Sequence, residues 1–380
     1  MADLVVRRAA RVFGYDAEGP LAIVVRNGRI ASVGPDRPHD LPELDAGGRA
    51  VIPGFVDAHT HLVFAGDRAD EFAARLAGHP YAAGGIWRTV EATRAAAFDE
   101  LVDATVGRAD AALATGTTTI EVKSGYGLDT ATERRLLEAV AAAGERTAAT
   151  LVPTFLGAHL APDDAYIDVV VDEMLPACAA LATSCDAFCD EGALTVEQAR
   201  RVLQAGCTHG LVPRIHAEEL APTGGALLAA ELGAASADHL VHATAEDAAA
   251  LAAAGVVAVL LPATSFSLRS AYAPARMLAD AGVTLALATD CNPGTSYTTS
   301  MPFVVALACS AYGLSVDDAL RAATEGGAQA LRRDDIGHLR PGAQADLVVL
   351  DTDRWIDLAY RPGADLIHAV VKAGDVVVAP

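Results

Sequence analysis

The apolar and polar positions of this 380-residue sequence fall into three successive patterns. From Ala2 to about Arg49, short β-like runs ("DLVVRRAARVFG", "LAIVVRNGRI", "ASVGP") are broken by glycine and proline at turn spacing. From about Gly337 the same style returns in "GHLRPGAQADLVVLD" and "HAVVKAGDVVV". Between them, apolar β-branched runs alternate with alanine-rich helical stretches, the βα pattern of a parallel sheet buried on both faces. Eight strands are predicted in order: "GFVDAHTH", "GTTTIEVKSG", "ATLVPTFLGAH", "CDAFCDE", "LVPRIHAEE", "SADHLVH", "VVAVLLPAT" and "TLALATDCN". Helix-compatible sequence separates them, as in "TATERRLLEAVAAAGERT" and in "TVEQARRVLQAG", which Thr195 opens with Glu197 in the first turn. Eight such units predict an α/β fold, a (β/α)8 TIM-like barrel over residues 51–336, flanked by β-rich segments 1–50 and 337–380.

Composition narrows the function. A chain of this length buries a substantial core without disulfides. The formal net charge of −21 argues against nucleic acid or an anionic membrane as partner, since both demand basic surface. A small anionic substrate held by one local arginine remains compatible with it. Only Lys123 and Lys372 are lysines, which restricts lysine-based chemistry to two positions. The six cysteines show no CxxC spacing, and "MADLVVRRAARVFG" carries no long apolar segment behind its charges. A cytoplasmic protein with reduced thiols is expected.

Barrel enzymes place their chemistry at the carboxyl ends of the strands, and here those ends are polar. The first carries His59 and His61, the second Glu121 to Tyr126, the third His159, the fifth His216 and Glu219, the sixth Asp238 and His239, the eighth Asp290. In an extended chain residues i and i+2 face the same way, so His59 and His61 form a bidentate pair. Singly, Asp290 reads equally well as a helix cap in the turn-rich "TDCNPG", and His216 as a core histidine. With the HxH pair they make a shell of three nitrogens and one carboxylate that suits Zn²⁺ or Fe. Calcium and magnesium, which prefer oxygen-only shells, fit it poorly.

The stretches "PGFVDAHTH", "HAEE", "ADHL" and "ATDCNPG" together resemble the amidohydrolase superfamily. The longer stretches "HTHLVFAGDRADEF", "EVKSGYGLD", "TFLGAH", "HAEEL", "SADHL", "LLPATSFSLR" and "TDCNPGTSYTTSM" resemble its imidazolonepropionase family over essentially the whole chain. That resemblance implies a metal-dependent barrel with a small β-sandwich domain built from both chain termini. It also implies hydrolytic opening of 4-imidazolone-5-propanoate to N-formimidoyl-L-glutamate in histidine catabolism, and a homodimer. Carried onto matching positions, His59, His61, His216 and Asp290 would bind the metal. Arg68, Tyr126, His159, Glu219, Asn292, Gly294 and Thr295 would contact substrate or product. Cys291 departs from the pattern, standing where a larger apolar residue is expected.

Many members of the superfamily bridge two metals with a carboxylated lysine ending the fourth strand, but "CDAFCDE" has none. One Zn²⁺ or Fe ion per chain is therefore expected, with Cys189 or Glu191 as an unusual bridge left open. Within the implied reaction Glu219 is positioned to take a proton from the attacking water and pass it on, while His239 could polarise the carbonyl or share proton transfer with Asp290. Arg68 could grip the propanoate, Tyr126 between two glycines could approach a ligand closely, and His159 could hydrogen-bond the ring. Taken singly, each has an ordinary reading as a solvated charge, a turn tyrosine or a packed histidine. Two rivals are weaker. An aminohydrolase releasing ammonia from a purine or pyrimidine would use nearly the same ligands, but no substrate loop matches one. A noncatalytic relative that had lost the metal is opposed by the intact ligand set.

Overall fold

The computed structural model describes residues 2–17, 19–78, 85–161 and 163–379. Both terminal segments build one two-sheet sandwich. The first sheet has the order β4-β3-β1-β5, from β1 (Leu4–Ala9), β3 (Leu21–Arg26), β4 (Arg29–Pro35) and β5 (Glu43–Asp45). The second has the order β17-β16-β15-β6-β2, joining β2 (Arg11–Val12) and β6 (Ala50–Pro53) to β15 (Leu347–Leu350), β16 (Ile367–Lys372) and β17 (Asp375–Val378). Two-residue turns fix two of the hairpins. Asn27 and Gly28 both take positive φ between paired Arg26 and Arg29, and Ala373 and Gly374 do the same between Lys372 and Asp375. Alternation then sends Leu4, Val6, Ile23 and Val25 from one sheet against Val51, Leu347, Val349 and Val371 from the other, in a core of aliphatic side chains.

The chain leaves the sandwich at Pro53 and enters the barrel at Phe55. Gly54 makes the passage, because a Cβ there would strike the side chain of Thr118. The eight barrel strands pair in parallel and in chain order: β7 (Phe55–Asp57), β8 (Thr117–Lys123), β9 (Thr150–Ala158), β10 (Ser184–Cys189), β11 (Val212–Ala217), β12 (Ser236–His239), β13 (Val257–Leu260) and β14 (Leu285–Leu287). All eight coincide with the apolar runs read from sequence. Thr195 caps its helix as expected, and Asp129 and Thr244 cap two others, each of the three accepting a backbone N–H of the first turn.

The seam between the first and last strands departs from the expected regular strand. Its ladder stops at Asp57, and the extended chain closes the barrel farther on, where Asp290 N donates to His59 O and His61 N to Cys291 O, both at 3.0 Å. Below that closure the side chain of Asp57 accepts from Thr289 N and Oγ1 at 3.0 and 2.6 Å. A helix over residues 316–330, widened to a π turn at Ala322–Gly326, packs directly on the seam. A Cβ on Gly326 or Gly327 would collide with Leu285 O or Val56 O, so two glycines admit the helix to the strand backbones. The barrel therefore closes at the level of the strand-end histidines. No helix among the described residues is long and apolar enough to cross a membrane.

Candidate active site

Four side chains meet at the carboxyl end of the barrel. Asp290 Oδ1 lies 3.5 Å from His59 Nε2 and 3.5 Å from His61 Nε2, and His61 Nε2 lies 3.5 Å from His216 Nε2. Two imidazole nitrogens that close repel unless a cation or a proton lies between them. Burial holds His59 and His61 far below the usual histidine range, so both rings are neutral and offer lone pairs. His59 Nε2 is buried and has no hydrogen-bond partner. A tetrahedral ion with bonds of about 2.1 Å would set its ligands about 3.4 Å apart, matching these separations. The residues present thus fit a divalent transition metal. His239 also approaches: one nitrogen of it, of His59 and of His216 lie mutually within 4.8 Å. Neither Cys189 nor exposed Glu191 joins such a group among the described residues.

A layer of buried charge orients these histidines from below. His59 Nδ1 donates to Asp238 Oδ2 at 2.6 Å and His216 Nδ1 to Asp186 Oδ1 at 3.2 Å, which fixes the tautomer that turns each Nε2 toward the site. Lys123 lies beneath both, 2.7 Å from Asp186 Oδ2, 2.9 Å from Glu121 Oε1 and 3.8 Å from Asp238 Oδ2. Burial disfavours its charge, but Asp186 and Glu121 outweigh burial and keep it an ammonium. Glu121 Oε2 also accepts from Thr60 N, between His59 and His61, at 3.1 Å. Fully buried Arg214 donates to Ala58 O and Ala330 O at 2.6 and 2.7 Å and stands 3.5 Å from Asp238. Asp290 is turned by Thr264, whose hydroxyl donates to Oδ2 at 2.6 Å and leaves Oδ1 for the histidines. Burial raises the Asp290 carboxyl to about 6, against the pull of that hydroxyl.

Of the remaining residues singled out in the sequence, Arg68, Tyr126, His159, Glu219, Asn292 and Thr295, with His239, line one pocket above these four side chains, while Gly294 lines the neighbouring cavity. Arg68 is not a solvated surface charge. It is buried, paired with Glu71 at 2.6 Å, and passes so close to Gly294 that a Cβ there would strike its guanidinium. His159 Nδ1 lies 3.0 Å from Gly125 O, and burial together with His216 pushes its pKa down to about 3. Glu219 stands 3.7 Å from His239 Nε2, and burial, then Asp290 and Asp190, hold its carboxyl well above the usual range. Asn292 is committed to its own turn: its carbonyl accepts from Gly294 N and Thr295 N at 2.8 Å, and its amide donates to Asp290 O at 2.7 Å. Cys291 is buried at the seam, where its backbone rather than its thiol makes the contact with His61.

The loops bearing these groups are strained and anchored. Leu128, Glu218, His239, Leu240 and Asp290 all take positive φ, where L residues rarely sit, and all lie at or beyond the carboxyl ends of barrel strands. Buried Glu133 accepts from Gly125 N, Gly127 N and Leu128 N at 2.7–2.8 Å and so holds the Tyr126 loop. The sequence alone assigns no role to Lys123, Asp186, Arg214 or the anchor Glu133. A signal for the first two is present: in strands that carry no other charge, Glu121 and Lys123 at i and i+2 share one face, and Asp186 is the lone charge of its strand.

An amidohydrolase family model matches residues 50–377. An imidazolonepropionase of Mycolicibacterium smegmatis is 52% identical over 365 residues, covering 94% of this chain and 90% of the relative. An imidazolonepropionase of Halobacterium salinarum is 50% identical over 401 residues, covering 99% and 96%. Among solved structures, an atrazine chlorohydrolase of Arthrobacter aurescens complexed with zinc superposes with a TM-score of 0.77 at 20% identity, covering 99% of this chain and 95% of its own, a likeness of fold.

Proposed function

The chain belongs to the amidohydrolase family and is one with its imidazolonepropionases over most of its length, and from that premise we propose that it opens the ring of 4-imidazolone-5-propanoate by hydrolysis, giving N-formimidoyl-L-glutamate. The observation that carries the reading is the convergence of one arginine, one carboxylate and four histidines on a single pocket over Asp290. We assign His59, His61, His216 and Asp290 as ligands of one Zn²⁺ or Fe ion. Such an ion supplies Lewis acidity and a nucleophilic water at neutral pH. The chain's own residues do the rest. Arg68 binds the propanoate carboxylate with its fork of N–H donors, exchanging part of its contact with Glu71. Tyr126 and His159 hold the ring plane; with Nδ1 bonded to Gly125 O, His159 turns Nε2 to the substrate. Glu219 takes the proton of the attacking water on its carboxylate and delivers it to the ring nitrogen that leaves. His239, 3.7 Å from Glu219, faces the same reacting carbonyl and donates to the oxygen on which charge develops. Asn292, Gly294 and Thr295 shape the wall that backs Arg68.

A single ion is supported by the chemistry of the fourth strand. Its inward carboxylate, Asp186, already carries Lys123, an internal cation, and the strand has no lysine to bridge metals. The test is direct: freshly prepared imidazolone propanoate should lose its ultraviolet absorbance with purified enzyme, urocanate should not react, and no ammonia should appear. Ammonia release, or two equivalents of metal in fully active protein, would overturn the assignment.

A further inference from the structure

Asp190 follows directly on β10 and is buried, yet none of the roles assigned above belongs to it. Its carboxylate reaches across to the loop after β11 and gathers consecutive backbone amides. Oδ2 accepts from Glu219 N at 2.6 Å and Leu220 N at 3.0 Å, while Oδ1 accepts from Ala221 N at 3.1 Å and from Glu191 N at 2.7 Å. The far end of the same loop is held by Glu218, whose side chain accepts from Gly224 N and Ala226 N at 2.8 Å. Glu218 itself takes φ of 53°, so the chain turns sharply just before Glu219. Such a turn points three successive N–H groups one way, and an anion is what holds them there. Without it they would turn to water and the loop would choose among conformers.

Proton transfer tolerates little displacement: about 1 Å of misplacement costs on the order of 10²-fold. We propose that Asp190 is a positioning residue for Glu219, acting on the chemical step and leaving substrate binding and the metal alone. The inference rests on the reading of Glu219 as the base. It differs from a general role in the fold because its effect must pass through one side chain.

That requirement sets the experiment. Steady-state kinetics on imidazolone propanoate would compare the wild type, Asp190→Asn, Glu219→Gln and the double variant, with metal content and thermal melts measured on each. Asparagine keeps the shape but offers one acceptor oxygen where the carboxylate uses two. Asp190→Asn is expected to lower kcat about tenfold to hundredfold with KM within about threefold and metal content unchanged. In the Glu219→Gln background the same change is expected to add nothing, because the group it positions is gone. If Glu219→Gln is impaired and the two losses multiply, Asp190 acts independently and the proposal fails while the base assignment stands. If Glu219→Gln keeps wild-type turnover, the base assignment fails and the proposal with it. Asp190→Ser, smaller and still an acceptor, guards against a misfolded first variant. Absence of a cooperative melt in both would assign Asp190 to the fold and overturn the proposal.

Discussion

The sandwich and the barrel mouth solve the same burial problem in opposite ways. Between the sandwich sheets the packed side chains are aliphatic, accompanied by one buried ion pair, Lys372–Asp346, 2.7 Å apart. Beneath the barrel mouth Glu121, Lys123, Asp186, Arg214 and Asp238 lie together with no exposure at all. Buried ion pairs seldom stabilise a fold relative to apolar packing, because desolvation offsets their attraction. Their concentration into a five-residue network at one end of the molecule, against the one pair Lys372–Asp346 at the other, therefore marks what they serve. They set the orientation of the imidazoles above them and contribute little to holding the chain folded.

The sharpest way to break that contrast is at Lys123. Lys123→Met leaves Asp186 and Glu121 buried without their counter-charge, so a destabilisation of about 3–5 kcal/mol is expected in thermal melts of chelator-treated protein. Adding Glu121→Gln and Asp186→Asn should recover much of that stability but not the metal affinity, which outer partners of ligands typically support by about 10- to 100-fold. Recovery of both together would mean that the charges serve only the fold.

Leu347→Ala tests the other region. It removes a fully buried side chain from the sandwich core and should cost about 2–4 kcal/mol in the melt. Metal content and kcat of the protein that remains folded should match wild type. A fall in kcat would show that the sandwich supports the site after all.

The smallest effect separates binding from both. Arg68→Met should weaken kcat/KM by about 1.5–3 kcal/mol for the carboxylate-bearing substrate and change little for an uncharged cyclic amide of the same ring. Equal losses on both, with the metal retained, would make Arg68 a structural partner of Glu71.

How far this could be read from sequence follows the same division. The strands were legible because period-two and continuous apolar runs are local signals, and the candidate ligands could be named because HxH and strand-end polar residues repeat along the chain. The seam was not, since the end of β7 at Asp57 depends on Thr289, 232 residues away. Nor were the anchors. Asp190 and Glu133 look like ordinary loop and helix carboxylates until folding brings backbone amides to them. Arg68 was legible as a candidate, but its pairing with Glu71 and its passage over Gly294 belong to the packed structure.

Both lysines are internal, one in each region: Lys123 is fully enclosed by carboxylates and Lys372 is nine-tenths buried against Asp346. An acylating reagent or bifunctional amine cross-linker therefore meets no exposed lysine on the native molecule. Each ε-amine becomes reactive only when its own region opens. Timed labelling followed by peptide mass analysis would thus clock the opening of barrel and sandwich separately, using two reporters already built into the chain.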